Sequence, residues 1–153
     1  MRTRHKPLLL TVAVLAMLLA IAAPVGASSR SPVEIEVLTD INASVNDFDA
    51  ESQILCDMGT VENTAPFVFA TGLGNPHMQI VLGKHFVCED RSGTFDILIR
   101  VRLSFVDQTT EGTWSVVRGT GAYEKLHGNG TVLGIPQGNE TILDIYTGTL
   151  HVD

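Results

Sequence analysis

The 153-residue chain reads as all-β, either an up-and-down antiparallel barrel or a two-sheet sandwich of seven or eight strands. Three observations carry that expectation. Apolar and polar residues alternate with period two over long stretches, best over Thr94 to Val106, where Phe95, Ile97, Ile99, Val101, Leu103 and Phe105 fall on one face. Glycine and asparagine turns punctuate the chain at short intervals. Nothing resembles a βαβ unit, and the single helix-like turn is Ala122 to Leu126. Full closure into a barrel would also remove the exposed edges that long apolar strands make hazardous.

Residues 1–27 read as an export signal: Arg2, Arg4 and Lys6 precede an apolar run from Leu8 to Ile21, and Pro24-Val25-Gly26-Ala27 ends it with small residues. The run is shorter than the roughly 20 residues a spanning helix needs. Residues 28–153 then form one domain, expected outside the cell. Loss of the three basic leader residues leaves seven basic side chains against 17 acidic ones, taking the net charge from −7 to −10. Such a surface repels phosphate backbones and anionic lipids, so neither nucleic acid nor membrane is an expected partner.

Along the exported part, Val33 to Val37 alternates cleanly and opens the sheet. Asp40 to Glu51 reads as a polar acidic loop, Ser52 to Cys56 as a short second strand, and Asp57 to Pro66 as a loop rich in turn formers. Phe67 to Ala70 is a short apolar run and Thr71 to Pro76 a turn. Met78 to Cys88 is a longer strand, Thr94 to Val106 the best one, and Gly112 to Arg118, Asn129 to Ile135 and Thr141 to Val152 complete the set.

Cys56 and Cys88 are the only cysteines, each at the end of a strand-like run in the exported part. A disulfide follows from that setting. Two buried thiols are the alternative; a metal site has little support without a C-x-x-C pair, and no metal or cofactor is expected.

The stretch Gly112 to Gly134 reads as strand, glycine-pinned turn and strand, with Trp114 and Tyr123 supplying burial. Within it, Gly119-Thr120-Gly121-Ala122-Tyr123-x-x-Leu126-x-Gly128 resembles the G-T-G-x-aromatic-x-x-aliphatic-x-G signature of allene oxide cyclase-like and dirigent-like β-barrels, especially their small secreted bacterial relatives. Cys88-x-x-x-x-Gly93-x-Phe95, Gly112-Thr113-Trp114 and Tyr146-x-Gly148 extend the likeness over roughly residues 84 to 150. The resemblance implies an eight-stranded antiparallel barrel with a narrow apolar lumen, often associated as trimers. It assigns no working residue here, because in the plant members those residues are scattered over several strands outside the signature. Gly119, Gly121, Tyr123, Leu126 and Gly128 are therefore read as a structural turn, not as a phosphate cradle, since the lysine and serine of a P-loop are missing.

Other candidate chemistry is thin. Asp40, Asn42, Ser44, Asn46 and Glu51 match positions 1, 3, 5, 7 and 12 of a calcium loop, but Val45 stands where the turn wants glycine. His77, His85, His127 and His151 lack ligand spacing, and Ser52, Ser104 and Ser115 lie in no nucleophile elbow. Asp96, Arg100 and Arg102 are expected on the wet face of their strand; in a wide polar lumen the arginines would instead orient an anionic head group.

The leading functional expectation is a secreted barrel that binds a small apolar molecule or acts as a non-catalytic scaffold for one, with homo-oligomerisation suggested by the resemblance. An isomerase or cyclase acting on a lipid-like or phenolic intermediate in the lumen is the enzymatic alternative, and a structural protein with a filled core is the third.

Overall fold

Eight strands close on themselves in simple sequence order in the computed structural model, which describes residues 29–70 and 74–153, and of residues 65–68 the backbone alone. The leader expected over residues 1–27 lies outside the described residues. The strands are β1 Ser31–Asp40, β2 Val45–Ser52, β3 Met58–Ala70, β4 His77–Cys88, β5 Gly93–Ser104, β6 Thr110–Gly121, β7 Leu126–Gly138 and β8 Thr141–Val152. Every neighbour is antiparallel, and β8 returns to β1 in continuous register from Ser31↔Leu150 to Asp40↔Thr141. The barrel alternative therefore holds over the sandwich.

Period-two alternation explains the walls. Val33, Ile35 and Val37 of β1, Phe95, Ile97, Ile99 and Val101 of β5, and Tyr146 and Leu150 of β8 all point inward and are buried. Each such apolar side chain contributes roughly 1.5–3 kcal/mol relative to exposure. Glu34, Glu36, Arg100 and Arg102 face outward on the same strands and are exposed.

Several expectations need correction. The acidic stretch Asp40 to Glu51 is mostly strand, not loop: β2 turns Phe48 inward and Val45, Asp47, Asp49 and Glu51 outward, and with a single large apolar residue on the inner face its periodicity is faint. Ser52 to Cys56 is accordingly not a strand. There the Ser52 hydroxyl accepts bonds from the Ile54 and Leu55 amides, which bends the chain under the barrel end. Asp57 to Pro66 belongs to β3; between Thr64 and Val68, residues 65–67 stand opposite Leu82 alone, so the turn formers make a bulge, not a loop. Phe105 lies beyond the end of β5 and is half exposed, so it does not join the inward face.

The helix-like turn at 122–126 is a hydrogen-bonded turn instead, with Tyr123 N donating to Thr120 O at 3.0 Å and Leu126 N to Tyr123 O at 3.0 Å. Gly121 begins it at φ +61°, where a Cβ would also strike the Ser92 carbonyl. Tyr123 and Leu126 are buried beneath it. Cys56 and Cys88 are joined by a disulfide, Cα to Cα 5.9 Å, a bond that fits an oxidising compartment.

The two ends differ. At the disulfide end Phe86 stacks on Phe95 with centroids 4.7 Å apart, Phe48 meets Phe86 edge-on at 5.1 Å, and Tyr123 meets Phe95 edge-on at 5.7 Å. The Tyr123 hydroxyl accepts the Cys56 amide and shares a bond with Ser92 Oγ, both at 2.9 Å. Aromatic packing fills that end; the opposite end holds the cavity.

Candidate ligand site in the barrel lumen

Two inward stripes are interrupted by a charge. In β4 the stripe Met78, Ile80, Leu82, Lys84, Phe86, Cys88 carries one lysine, and in β8 the stripe Ile142, Asp144, Tyr146, Gly148, Leu150 carries one aspartate. Strand pairing fixes both inward: Lys84 stands opposite Ile97, and Asp144 opposite Val37, each a fully buried wall residue. Lys84 Nζ lies 3.5 Å from Asp144 Oδ2, with side-chain exposures of 4% and 13%. Thr39 Oγ1 donates to the same carboxylate at 2.8 Å.

A cavity of about 130 Å³ adjoins this pair. Ile80, Leu82, Ile99, Val101, Val132 and Ile142 form its apolar wall, and Thr39, Asn63, Lys84, Thr110 and Asp144 supply its polar groups. Gly134 makes room, since a Cβ there would meet Thr110 Oγ1 and Asp144 Oδ1. A wider groove of about 490 Å³ at the same end is lined by Ile41, Leu103, Phe105, Gln108 and Pro136 and shares Ile142 with the lumen. The Ile41 amide bonded to Glu140 O and the Asn42 side-chain amide bonded to Glu140 Oε2 tie the loops of that rim together.

Low polarity governs the charges. Burial pushes Lys84 below the ordinary lysine value, against the attraction of Asp144 and the hydrogen bond to it. Burial also drives the Tyr146 phenol well above the usual tyrosine range, and the negative Asp144 adds to that. Tyr146 is fully buried and its hydroxyl has no hydrogen-bond partner among the described residues, an omission that costs about 1–3 kcal/mol. The lumen thus holds an amine and a carboxylate on a cavity whose remaining polar groups are those of Thr39, Asn63 and Thr110, with the Tyr146 phenol buried outside that lining.

Neither Lys84 nor Asp144 was singled out from the sequence as chemistry, although a lone charge inside each of two inward stripes is a readable signal. The residues that were singled out lie elsewhere. Arg100 and Arg102 are outside the barrel, Arg102 paired with Glu111. Asp96 departs from its expected exposure: it is 9% exposed, covered on the outer wall by His85 and Arg118, to both of which it pairs. Those three align across β4, β5 and β6, a ladder on the outer sheet that lines none of the cavities described. His127 and His151 stack across β7 and β8 and both face Asp153.

The calcium register is not realised. Asp40 accepts the Asn42 amide and its own amide donates to Asn46, but Val45 to Glu51 run up β2, which carries Glu51 away from the hairpin turn. Among the described residues the one group of potential metal ligands drawn close together is Cys56, Cys88 and Asp90, and its two sulfurs are bonded to each other. Comparison with protein families, curated proteins and solved structures found no match to this chain.

Proposed function

We propose that this is a secreted barrel that binds a small, mainly apolar molecule, its one polar group held in the lumen by Lys84 and Asp144 and any hydrocarbon tail lying in the rim groove. The carrying observation is the 130 Å³ cavity beside a buried ion pair. A protein with a purely structural core has no use for a cavity and a buried amine in its centre, both of which lower stability. The apolar wall supplies affinity and the few polar groups supply orientation, the usual division of labour in small-molecule sites. Carboxylates at Glu34, Glu36, Asp49 and Glu51 on the outer wall support a barrel that stays in water. The signature at 119–128 supports membership of the allene oxide cyclase-like and dirigent-like barrels.

A second reading is favoured by one observation. An amine and a carboxylate in contact beside a largely apolar cavity are the parts of a proton-transfer catalyst, so isomerisation or ring closure of a bound intermediate is the enzymatic form of the same site.

Native mass spectrometry of the protein purified from its secreting host tests the shared premise. Retention of a small molecule by the parent protein, and its loss in Ile80→Phe, is expected. A parent that carries nothing and takes up no apolar carbonyl, alcohol or phenol added in excess would overturn it.

A further inference from the structure

Resting on the reading of the lumen as a ligand site, we propose that Lys84 forms a reversible imine with a small aldehyde or ketone bound there. Charge comes first. Lys84 and Asp144 balance each other at 3.5 Å, so an entering anion would lie beside Asp144 and an entering cation beside Lys84. The chamber therefore selects an uncharged head group.

Hydrogen bonding narrows the class. Asp144 Oδ2 already receives Thr39 and faces Lys84, whereas the Lys84 ammonium has three protons to place. The surplus is in donors. A carbonyl oxygen accepts such protons and brings no donor of its own. Ile80, Leu82, Ile99 and Val132 suit its hydrocarbon part, and about 130 Å³ holds only a few non-hydrogen atoms at roughly 30 Å³ of liquid per water molecule.

The step balances within the lumen. Asp144 takes one proton from the Lys84 ammonium, and the neutral amine adds to the carbonyl carbon. The C–N bond forms as the C=O π bond breaks, giving a carbinolamine after transfer of the amine's second proton to that oxygen. Asp144 then returns its proton to the hydroxyl, which leaves as water, and the nitrogen lone pair completes the C=N bond. The product iminium carries the same single positive charge as the ammonium. Asp144 therefore faces a cation again once it has given its proton back, and burial, which lowers the cost of the neutral amine, assists the first step.

Residues 28–153 contain two lysines, Lys84 and Lys125, and Lys125 is exposed. The folded, disulfide-bonded protein is treated with butanone and cyanoborohydride, and the reduced adducts are located by peptide mapping, the N-terminal amine being scored separately. Labelling of Lys84 at least about tenfold faster than Lys125 is expected, because a carbonyl held in the lumen meets Lys84 at a far higher effective concentration than it meets the exposed side chain. Lys84→Arg should label at the Lys125 rate alone, but the ratio in the parent protein is sufficient. Labelling of Lys84 no faster than Lys125 overturns the imine. Butanone binding observed by ligand-detected NMR without reductant separates the two ideas: binding that Ile80→Phe abolishes, without Lys84 labelling, removes the imine and leaves the lumen site standing, whereas neither binding nor labelling removes both.

Discussion

Lys84 and Asp144 join opposite walls of the barrel: β4 and β8 are four strands apart in either direction, yet the two side chains meet at 3.5 Å across the lumen. Backbone ladders hold each wall strand to its immediate neighbours, and aromatic packing such as Phe86 against Tyr146 also crosses the lumen. The Lys84–Asp144 pair is the ionic tie through the middle, and Thr39 on β1 anchors its acidic end.

Removing one half of the tie should cost far more than removing both. Lys84→Met leaves Asp144 buried without its counter-ion and should lower stability by about 3–5 kcal/mol. Lys84→Met combined with Asp144→Leu should recover most of that loss, because an apolar replacement of both groups leaves no uncompensated charge. Denaturant midpoints at constant slope measure the cycle. A single variant as stable as the parent would mean that the pair is solvated, not buried.

The same groups set the response to alkali. Lys84 is held below its ordinary value of 10.5, mainly by burial, so between its folded and unfolded values the unfolded chain binds more protons and stability rises with pH, by up to about 1.4 kcal/mol per unit. Tyr146 has the opposite sign. Its folded value lies above the ordinary 10.0, so the unfolded chain loses that proton first and stability falls as the pH climbs past 10. Stability should therefore climb from the folded Lys84 value towards its ordinary 10.5 and turn over above that, where Tyr146 dominates. Urea titrations of the parent and of Lys84→Met with Asp144→Leu check this, the climb being absent from the double variant.

Tyr123 stitches three segments at the closed end through one hydroxyl. Tyr123→Phe keeps the ring contacts with Phe95 and strands the Cys56 amide, for an expected loss of about 1–3 kcal/mol. Hydrogen exchange at Cys56 should accelerate in the variant more than exchange in β5. Uniform acceleration would assign the effect to the whole barrel instead.

Gly121→Val should destabilise more than Glu124→Ala, by roughly 1–3 kcal/mol, since only the first forces a β-branched residue to φ +61°. Thermal melts of the two variants decide it. Coincident transitions would mean that the turn can adopt another backbone conformation at little cost.

How far the residues announced the fold depends on where their periodicity was strong. Phe95 to Val101 declares its face unaided, because four large apolar residues alternate with Asp96, Leu98 and Arg100, two of them charged. Phe48 cannot do the same for β2, where the outward residues beside it are acidic, Val45 is exposed and the inward ones are small or polar, so composition alone suggests a loop. Asp96 shows a different limit: its alternation places it outward, as observed, but only cross-strand register reveals that His85 and Arg118 cover it. The site was the least legible part. Lys84 and Asp144 lie 60 positions apart in the chain, and a lone charge in an apolar stripe acquires meaning only when closure sets two such stripes face to face.

The aromatic packing at the disulfide end makes the lumen a blind passage. Whatever reaches Lys84 must leave by the door it entered, past Ile142 and the side chains of Ile41 and Phe105. Arrival and departure then share one barrier. A change at Phe105 should speed or slow both by the same factor and leave the equilibrium constant untouched, so the rim governs dwell time while the buried pair governs affinity.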